Sequence, residues 1–210
     1  MKNLQNFKNI IFDFGGVILN IDLSITYNAL QKLNFINFEQ TKIKIKQEKL
    51  FERQEIGLIS NSEFYNFFNS EFINPVSEQT IEEAWNEMLL DYPEKNIQII
   101  QNLKSSHRLF LLSNTNKIHY DFYIKKFKTQ FGFELRSLFE QSYFSHEIGM
   151  RKPNKEIFEK VINENNLLPL ETLFIDDIEE NRITAQNIGI QTINTFTNEG
   201  LSEILKNNFI

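Results

Sequence analysis

Four places in this chain carry residue types whose combined chemistry is that of phosphoryl transfer. They are Asp13 in IIFDFGGVILNID, Ser113 and Asn114 at the end of RLFLLSN, Lys152 in GMRKPNKEIF, and Asp176 with Asp177 in TLFIDD. A carboxylate can attack phosphorus and become an aspartyl phosphate, which splits one difficult displacement into two easier ones. Further carboxylates are hard oxygen ligands that suit Mg²⁺, which takes one or two of them alongside water and substrate phosphate. A hydroxyl and a lysine complete a clamp on the phosphoryl oxygens, where positioning and electrostatics dominate. Each element has an ordinary explanation in isolation. Asp13 reads as a turn former, Ser113-Asn114 as a cap, Lys152 as a solvated charge, and the aspartate pair as the start of a helix. What distinguishes them is where they stand.

Each group lies where an apolar run stops. Ile10-Ile11-Phe12 ends at Asp13, Arg108 to Leu112 ends at Ser113, and Thr172 to Ile175 ends at Asp176. A weaker run, Ser142 to Ser145, precedes the loop with Lys152, and Ile190 to Ile193 reads as a last short strand. From Pro93 onward strands alternate with helical patterns, which predicts a parallel sheet of βαβ units. The carboxyl ends of such strands share one edge, where ligands bind, so the four sites converge despite their separation. Gly15-Gly16 lets backbone turn or approach a ligand closely.

Between residues 22 and 90 the strand-like runs vanish and helical spacing takes over, which predicts a small bundle of four helices after strand one. Leu30, Leu33 and Phe35 mark one segment, and Ile43, Ile45, Leu50 and Phe51 the next. Ser60 with Glu63 is a capping box for the helix carrying Phe64, Phe67 and Phe68. Ile81, Ala84, Trp85, Met88 and Leu89 fall on one face of a further helix. The aromatic stripe is read as bundle core.

With 210 residues, the chain is long enough for one well-buried core, or for a core domain with a smaller inserted one, but not for two large independent domains. A net charge of −6 with scattered basic residues excludes a nucleic-acid footprint. The absence of cysteine excludes disulfides and thiolate metal sites. The polar N-terminus MKNLQNFKN has no apolar signal core and no run reaches membrane-spanning length, so a cytoplasmic protein is expected. Phosphate-loop, GxGxxG and GxSxG patterns are absent as well.

The motifs hhFDFGGVI, LFLLSNTN, GMRKPNKEIF and LFIDDIEENRITAQNIGI, in this order, resemble those of the haloacid dehalogenase-like hydrolases, most closely the small phosphatases with a helical cap after strand one. The resemblance covers practically the whole chain, although the cap matches only in type and in its ExGxIS segment, Glu55 to Ser60. It implies an α/β fold with a Rossmann-like parallel core (1–21 and 91–210), an inserted helical cap (22–90), Mg²⁺ dependence and hydrolysis of a small phosphate ester. By the same resemblance Asp13 is the nucleophile, and Ser113 and Asn114 bind phosphate. Lys152 steadies both nucleophile and phosphate. Asp13, Asp176, Asp177 and the Gly15 carbonyl hold the metal. The expected partner is a small molecule, with neither nucleic acid nor membrane.

The family's acid–base aspartate is usually found two positions after the nucleophile, where this chain has Gly15. General acid–base help contributes about 10²–10⁴-fold, so its loss needs an explanation. A phosphatase acting on an ester with a good leaving group is one; the bacterial glucose-1-phosphate phosphatases are similar in the DxG form and the SNTNxxH segment, Ser113 to His119, which favours sugar phosphates. A metal-independent 2-haloacid dehalogenase and a non-catalytic binding protein are the alternatives. His119, Gln54 and Glu55 are candidates to enter the cleft, the last two to supply the missing proton transfer.

Overall fold

The computed structural model describes residues 4–195 together with Leu201 and Leu205. The remainder of the expected core segment lies outside the described residues. Five parallel strands form the sheet: β1 (Asn9–Phe12), β2 (Arg108–Ser113), β3 (Gln141–Phe144), β4 (Thr172–Asp176) and β5 (Gln191–Asn194), in the order β3-β2-β1-β4-β5. β1 pairs with β2 on one side and β4 on the other. The expected runs near Ser142 and Ile190 are both strands, each shifted by one residue.

The central strands are apolar on both faces because both faces are covered. Ile10, Phe12, Leu109, Leu111, Leu173 and Ile175 point into one cluster, while Ile11, Phe110, Leu112 and Phe174 point into the other. The first cluster is closed by α6 (Glu94–Leu103) and α7 (Lys117–Phe131), through Ile97, Ile100, Tyr123 and Phe127. The second is closed by α9 (Lys155–Glu164) and α10 (Glu179–Asn187), through Ile157, Phe158, Val161 and Ala185. A short α8 (Ser145–Ile148) follows β3. The chain moves outward from β1 to β2 and β3, then returns to β4 on the opposite side of β1. The carboxyl ends of β1 and β4 therefore flank the point where the winding reverses, the place where open α/β sheets bind ligands.

Five helices separate β1 from α6: α1 (Leu23–Gln31), α2 (Phe38–Gln47), α3 (Leu50–Glu55), α4 (Asn61–Glu71) and α5 (Glu78–Asn86). Their shared core includes Leu30, Leu50, Phe64, Phe68, Ile81 and Trp85. Ser60 and Glu63 form the reciprocal cap at the start of α4.

Two readings of the bundle are corrected. Ile43 to Phe51 is not one helix; α2 stops at Gln47, and Lys49 adopts a left-handed φ of 50° that turns the chain before α3. Ile43 is consequently 56% exposed while Leu50 is buried, because the break lets α3 pack independently of α2. Met88 and Leu89 do not extend α5, which ends at Asn86. The Thr26 hydroxyl donates to the Trp85 carbonyl and accepts from the Met88 N–H, both at 3.0 Å, closing the helix end. Met88 and Leu89 then pack in the sheet core, and Leu89 pairs antiparallel with Ile21 where the two connections run side by side.

Candidate functional site

Asp13 emerges directly from β1, and its N–H donates to the Ile175 carbonyl at 2.8 Å, tying the site to β4. The Lys152 Nζ lies 2.6 Å from Asp13 Oδ1 and 2.8 Å from Asp176 Oδ2. Lys152 is 1% exposed, so its ammonium depends on these carboxylates. Its backbone is held by Asn114, whose Nδ2 donates to the Lys152 carbonyl and whose Oδ1 accepts from the Lys152 N–H, both at 2.9 Å. The Asn114 side chain thus positions Lys152, and Asn114 also lines the cleft. Ser113, at the end of β2, is buried, and its hydroxyl makes one long bond of 3.4 Å to the Asn114 carbonyl.

Asp176 is fully buried and heavily engaged. Its Oδ1 accepts from the Ile178 N–H at 2.7 Å, and Asn181 Nδ2 lies 3.1 Å from both carboxylate oxygens. Arg182 fixes the backbone of the pair by donating to the Asp176 and Asp177 carbonyls. Asn181 and Arg182 are not among the site residues read from the sequence. The available signal was their place in the first turn and a half of α10, which points them back at the strand end. Asp177 is half-buried, and Asp13, Asp176 and Asp177 each offer an oxygen within 4.8 Å of the others.

The charge balance of this cluster is uneven. Burial is the largest influence on Asp13, reinforced by Asp176 and Asp177 and opposed by Lys152; the result pushes its carboxyl up to about 7. Burial and Asp176 also raise Asp177. Burial alone would lower Lys152, but Asp13 and Asp176 outweigh it and keep the ammonium charged. Three carboxylates share one buried lysine, and hard oxygens clustered around excess negative charge fit a divalent cation such as Mg²⁺.

Of the paired glycines, only Gly16 has a left-handed φ, +76°, and a Cβ there would stand 2.6 Å from Asp177 Oδ2. A Cβ on Gly15 would meet only the Ile21 side chain, at 3.3 Å. Gly16 is therefore the residue the local geometry requires.

The cluster opens into a cavity of about 500 Å³ between sheet edge and bundle. Gly15, Ser113 and Asp177 line one side, and Phe51, Gln54, Glu55 and Trp85 the other. Trp85 is thus both bundle core and cavity wall, a double role that helical periodicity does not reveal. His119 stacks on Trp85, ring centroids 4.9 Å apart, with Nδ1 2.8 Å from Asn86 Oδ1. Burial pushes its pKa down to about 3, so it stays a neutral bridge between α7 and α5 and carries no positive charge at neutral pH. Glu55 pairs with Arg151 at 2.8 Å, joining the bundle to the residue before Lys152. Burial raises Glu55 despite that partner. Gly57, with φ +70°, brings the same loop so close to α8 that a Cβ would stand 2.7 Å from the His146 carbonyl. The ExGxIS segment is therefore a docking element: Glu55 and Gly57 meet the core, and Ser60 caps α4.

A parallel sheet with carboxylates at the ends of β1 and β4, a lysine between them and a helical insertion after β1 defines a class of hydrolase. The haloacid dehalogenase-like hydrolase model matches residues 10–195, and the chain belongs to that family. It is 30% identical over 185 residues to a D-ribitol-5-phosphate phosphatase of Bacteroides thetaiotaomicron, covering 88% of this chain and 90% of that one. It is also 26% identical over 194 residues to a sesquiterpene phosphatase of Aspergillus oryzae, covering 88% and 87%. Among solved structures, a family enzyme of B. thetaiotaomicron in complex with magnesium and inorganic phosphate superimposes with a TM-score of 0.86 at 34% identity, covering 94% of this chain and 98% of that one. A predicted family hydrolase of Porphyromonas gingivalis gives 0.84 at 29%, covering 96% and 98%.

Proposed function

We propose that this protein is a Mg²⁺-dependent phosphatase of small phosphorylated metabolites, with sugar or polyol phosphates the favoured class. The observation that carries this reading is the Lys152 ammonium held between Asp13 and Asp176, with Asp177 beside them, at the base of the cavity between sheet edge and bundle. The relatives named as phosphatases and the neighbouring structure with magnesium and phosphate support it.

Asp13 attacks phosphorus in line. The ester P–O bond breaks with its electron pair passing to the leaving alcohol, and water then cleaves the aspartyl phosphate to regenerate Asp13. Lys152 holds the Asp13 carboxylate in place and offsets charge on the phosphoryl oxygens. The Ser113 hydroxyl, with one weak bond, is available to a phosphoryl oxygen, and Asn114 acts by fixing Lys152. Asp13, Asp177 and the Gly15 carbonyl, with Asp176 behind them, would hold the metal. Bound there, Mg²⁺ supplies charge neutralisation at the phosphoryl group. Asp176 already serves Lys152, Ile178 and Asn181, which makes Asp177 the freer ligand. Gly15 provides no proton for the departing oxygen, so turnover depends on the leaving group's own acidity or on a proton delivered from the cavity. The bundle acts as a cap that excludes water.

The test is phosphate release from sugar 1-phosphates, polyol phosphates and p-nitrophenyl phosphate, with Mg²⁺ or with chelator, for wild type and Asp13→Asn. Mg²⁺-dependent release abolished by the substitution is expected. Release that survives it, or none from any ester, overturns the reading; halide release from 2-haloacids would assign the dehalogenase alternative.

A further inference from the structure

Gln54 is a cavity residue whose whole carboxamide is left unmatched. It lies in the last full turn of α3 and is 2% exposed, and neither Oε1 nor Nε2 has a hydrogen-bond partner among the described residues. A carboxamide has two donors and an acceptor, and burying them unpaired is costly. Trp85 Nε1 is likewise buried without a partner, and Trp85 lines the same cavity. Both face the same cavity. Phe51, one turn before Gln54, packs on Trp85 with ring centroids 4.7 Å apart, so α3 presents Gln54 on the flank that meets Trp85. Beyond Trp85, His119 donates its Nδ1–H to Asn86 Oδ1, which leaves Nε2 as an acceptor.

We infer that Gln54 and Trp85 read hydroxyl groups on the leaving alcohol, and that the substrate is a phosphate ester of a polyol or sugar bearing adjacent hydroxyls. The inference rests on the phosphatase reading above and deepens it. A carboxamide accepts from one hydroxyl through Oε1 while donating to the next through Nε2, a complementarity that adjacent hydroxyls satisfy. The indole N–H donates to a further hydroxyl oxygen. Phe51, Met88 and Leu89, which also line the cavity, are apolar and match the C–H surface of a carbon chain. An alkyl phosphate without hydroxyls leaves the same buried groups unpaired, the kind of mismatch a site rejects strongly.

The experiment compares kcat/KM for a pentitol phosphate and for n-pentyl phosphate, which share a five-carbon chain, in wild type and in Gln54→Met, with Gln54→Leu as a second variant. Wild type is expected to prefer the pentitol ester, and the substitution to lower that preference roughly tenfold or more. Free of substrate, both variants are expected to melt at or above wild type, because they remove unpaired polar atoms without opening a cavity. Equal loss on both esters, or a melting temperature several degrees lower in both variants, means that Gln54 has a structural role and overturns the inference. A wild type that hydrolyses both esters equally overturns it while leaving the phosphatase reading intact. Hydrolysis of neither, nor of p-nitrophenyl phosphate, defeats the phosphatase reading itself.

Discussion

Replacing each of the paired glycines by alanine separates the two in a way the motif alone does not. In Gly16→Ala the new methyl group costs twice. A left-handed backbone is disfavoured for a residue with a Cβ by about 1–2 kcal/mol. The methyl would also stand 2.6 Å from Asp177 Oδ2, against an ordinary contact of 3.4 Å or more, so the carboxylate has to retreat by most of an ångström. Metal ligation tolerates departures of only about 0.2 Å, and disturbing a supporting residue typically weakens metal affinity about 10–100-fold. In Gly15→Ala the methyl meets the mobile end of Ile21 at 3.3 Å, on backbone that alanine accepts. A domain of this size loses about 2–4 °C per kcal/mol. Gly16→Ala is thus expected to melt about 2–8 °C lower in chelator and to need at least about tenfold more Mg²⁺ for half-maximal phosphate release. Gly15→Ala should keep its Mg²⁺ midpoint. Melting curves and a Mg²⁺ titration of turnover decide the matter; equal midpoints for both variants, or a larger defect in Gly15→Ala, would refute the placement of Asp177 against Gly16.

Other consequences are open to direct measurement. The folded-state pKa of His119 is depressed to about 3, so between pH 6.5 and 3 the unfolded chain binds a proton that the folded chain refuses, and stability falls with pH. Asp13, raised to about 7, works in the opposite direction, but it is common to wild type and His119→Gln and cancels in the comparison. The stability advantage of wild type over His119→Gln should shrink by about 2 kcal/mol between pH 7 and pH 5 in denaturant titrations, and parallel pH profiles would contradict the burial of a neutral imidazole. Glu55→Gln and Arg151→Met, measured singly and together, should be non-additive in KM by about fivefold, near 1 kcal/mol, if their ion pair holds the cap closed; strict additivity counts against the latch. Gly15→Asp should narrow the gap between poor and good leaving groups, by up to about 10²-fold, and an unchanged rate ratio would show that this position does not govern protonation.

Much of the core was legible because its signals are local. Strands buried on both faces read as unbroken apolar runs, and Asp13, Ser113 and Asp176 mark where those runs stop. The convergence of Asp13, Lys152 and Asp176 followed from the shared edge of a parallel sheet. What was not legible depends on partners distant in sequence. Periodicity continued through the break at Lys49, because apolar residues lie on both sides of it. It also continued through Met88 and Leu89, which belong to the sheet core rather than to α5. Asn114 bears the same carboxamide whether it faces a phosphate or the Lys152 backbone; only the fold decides. Gln54 likewise carries no sequence signal for an unpaired amide, since that condition exists only once α3 has packed against Trp85.

The central claim is that Asp13 becomes covalently phosphorylated. It is tested most directly by acid-quenching the enzyme during turnover of a polyol phosphate with Mg²⁺ and mapping the peptides by mass spectrometry. The account predicts an added mass of about 80 Da, one phosphoryl group, on the peptide containing Asp13 and its absence in Asp13→Asn. Continued turnover with Asp13 never modified, or with the phosphoryl group on another residue, would contradict it.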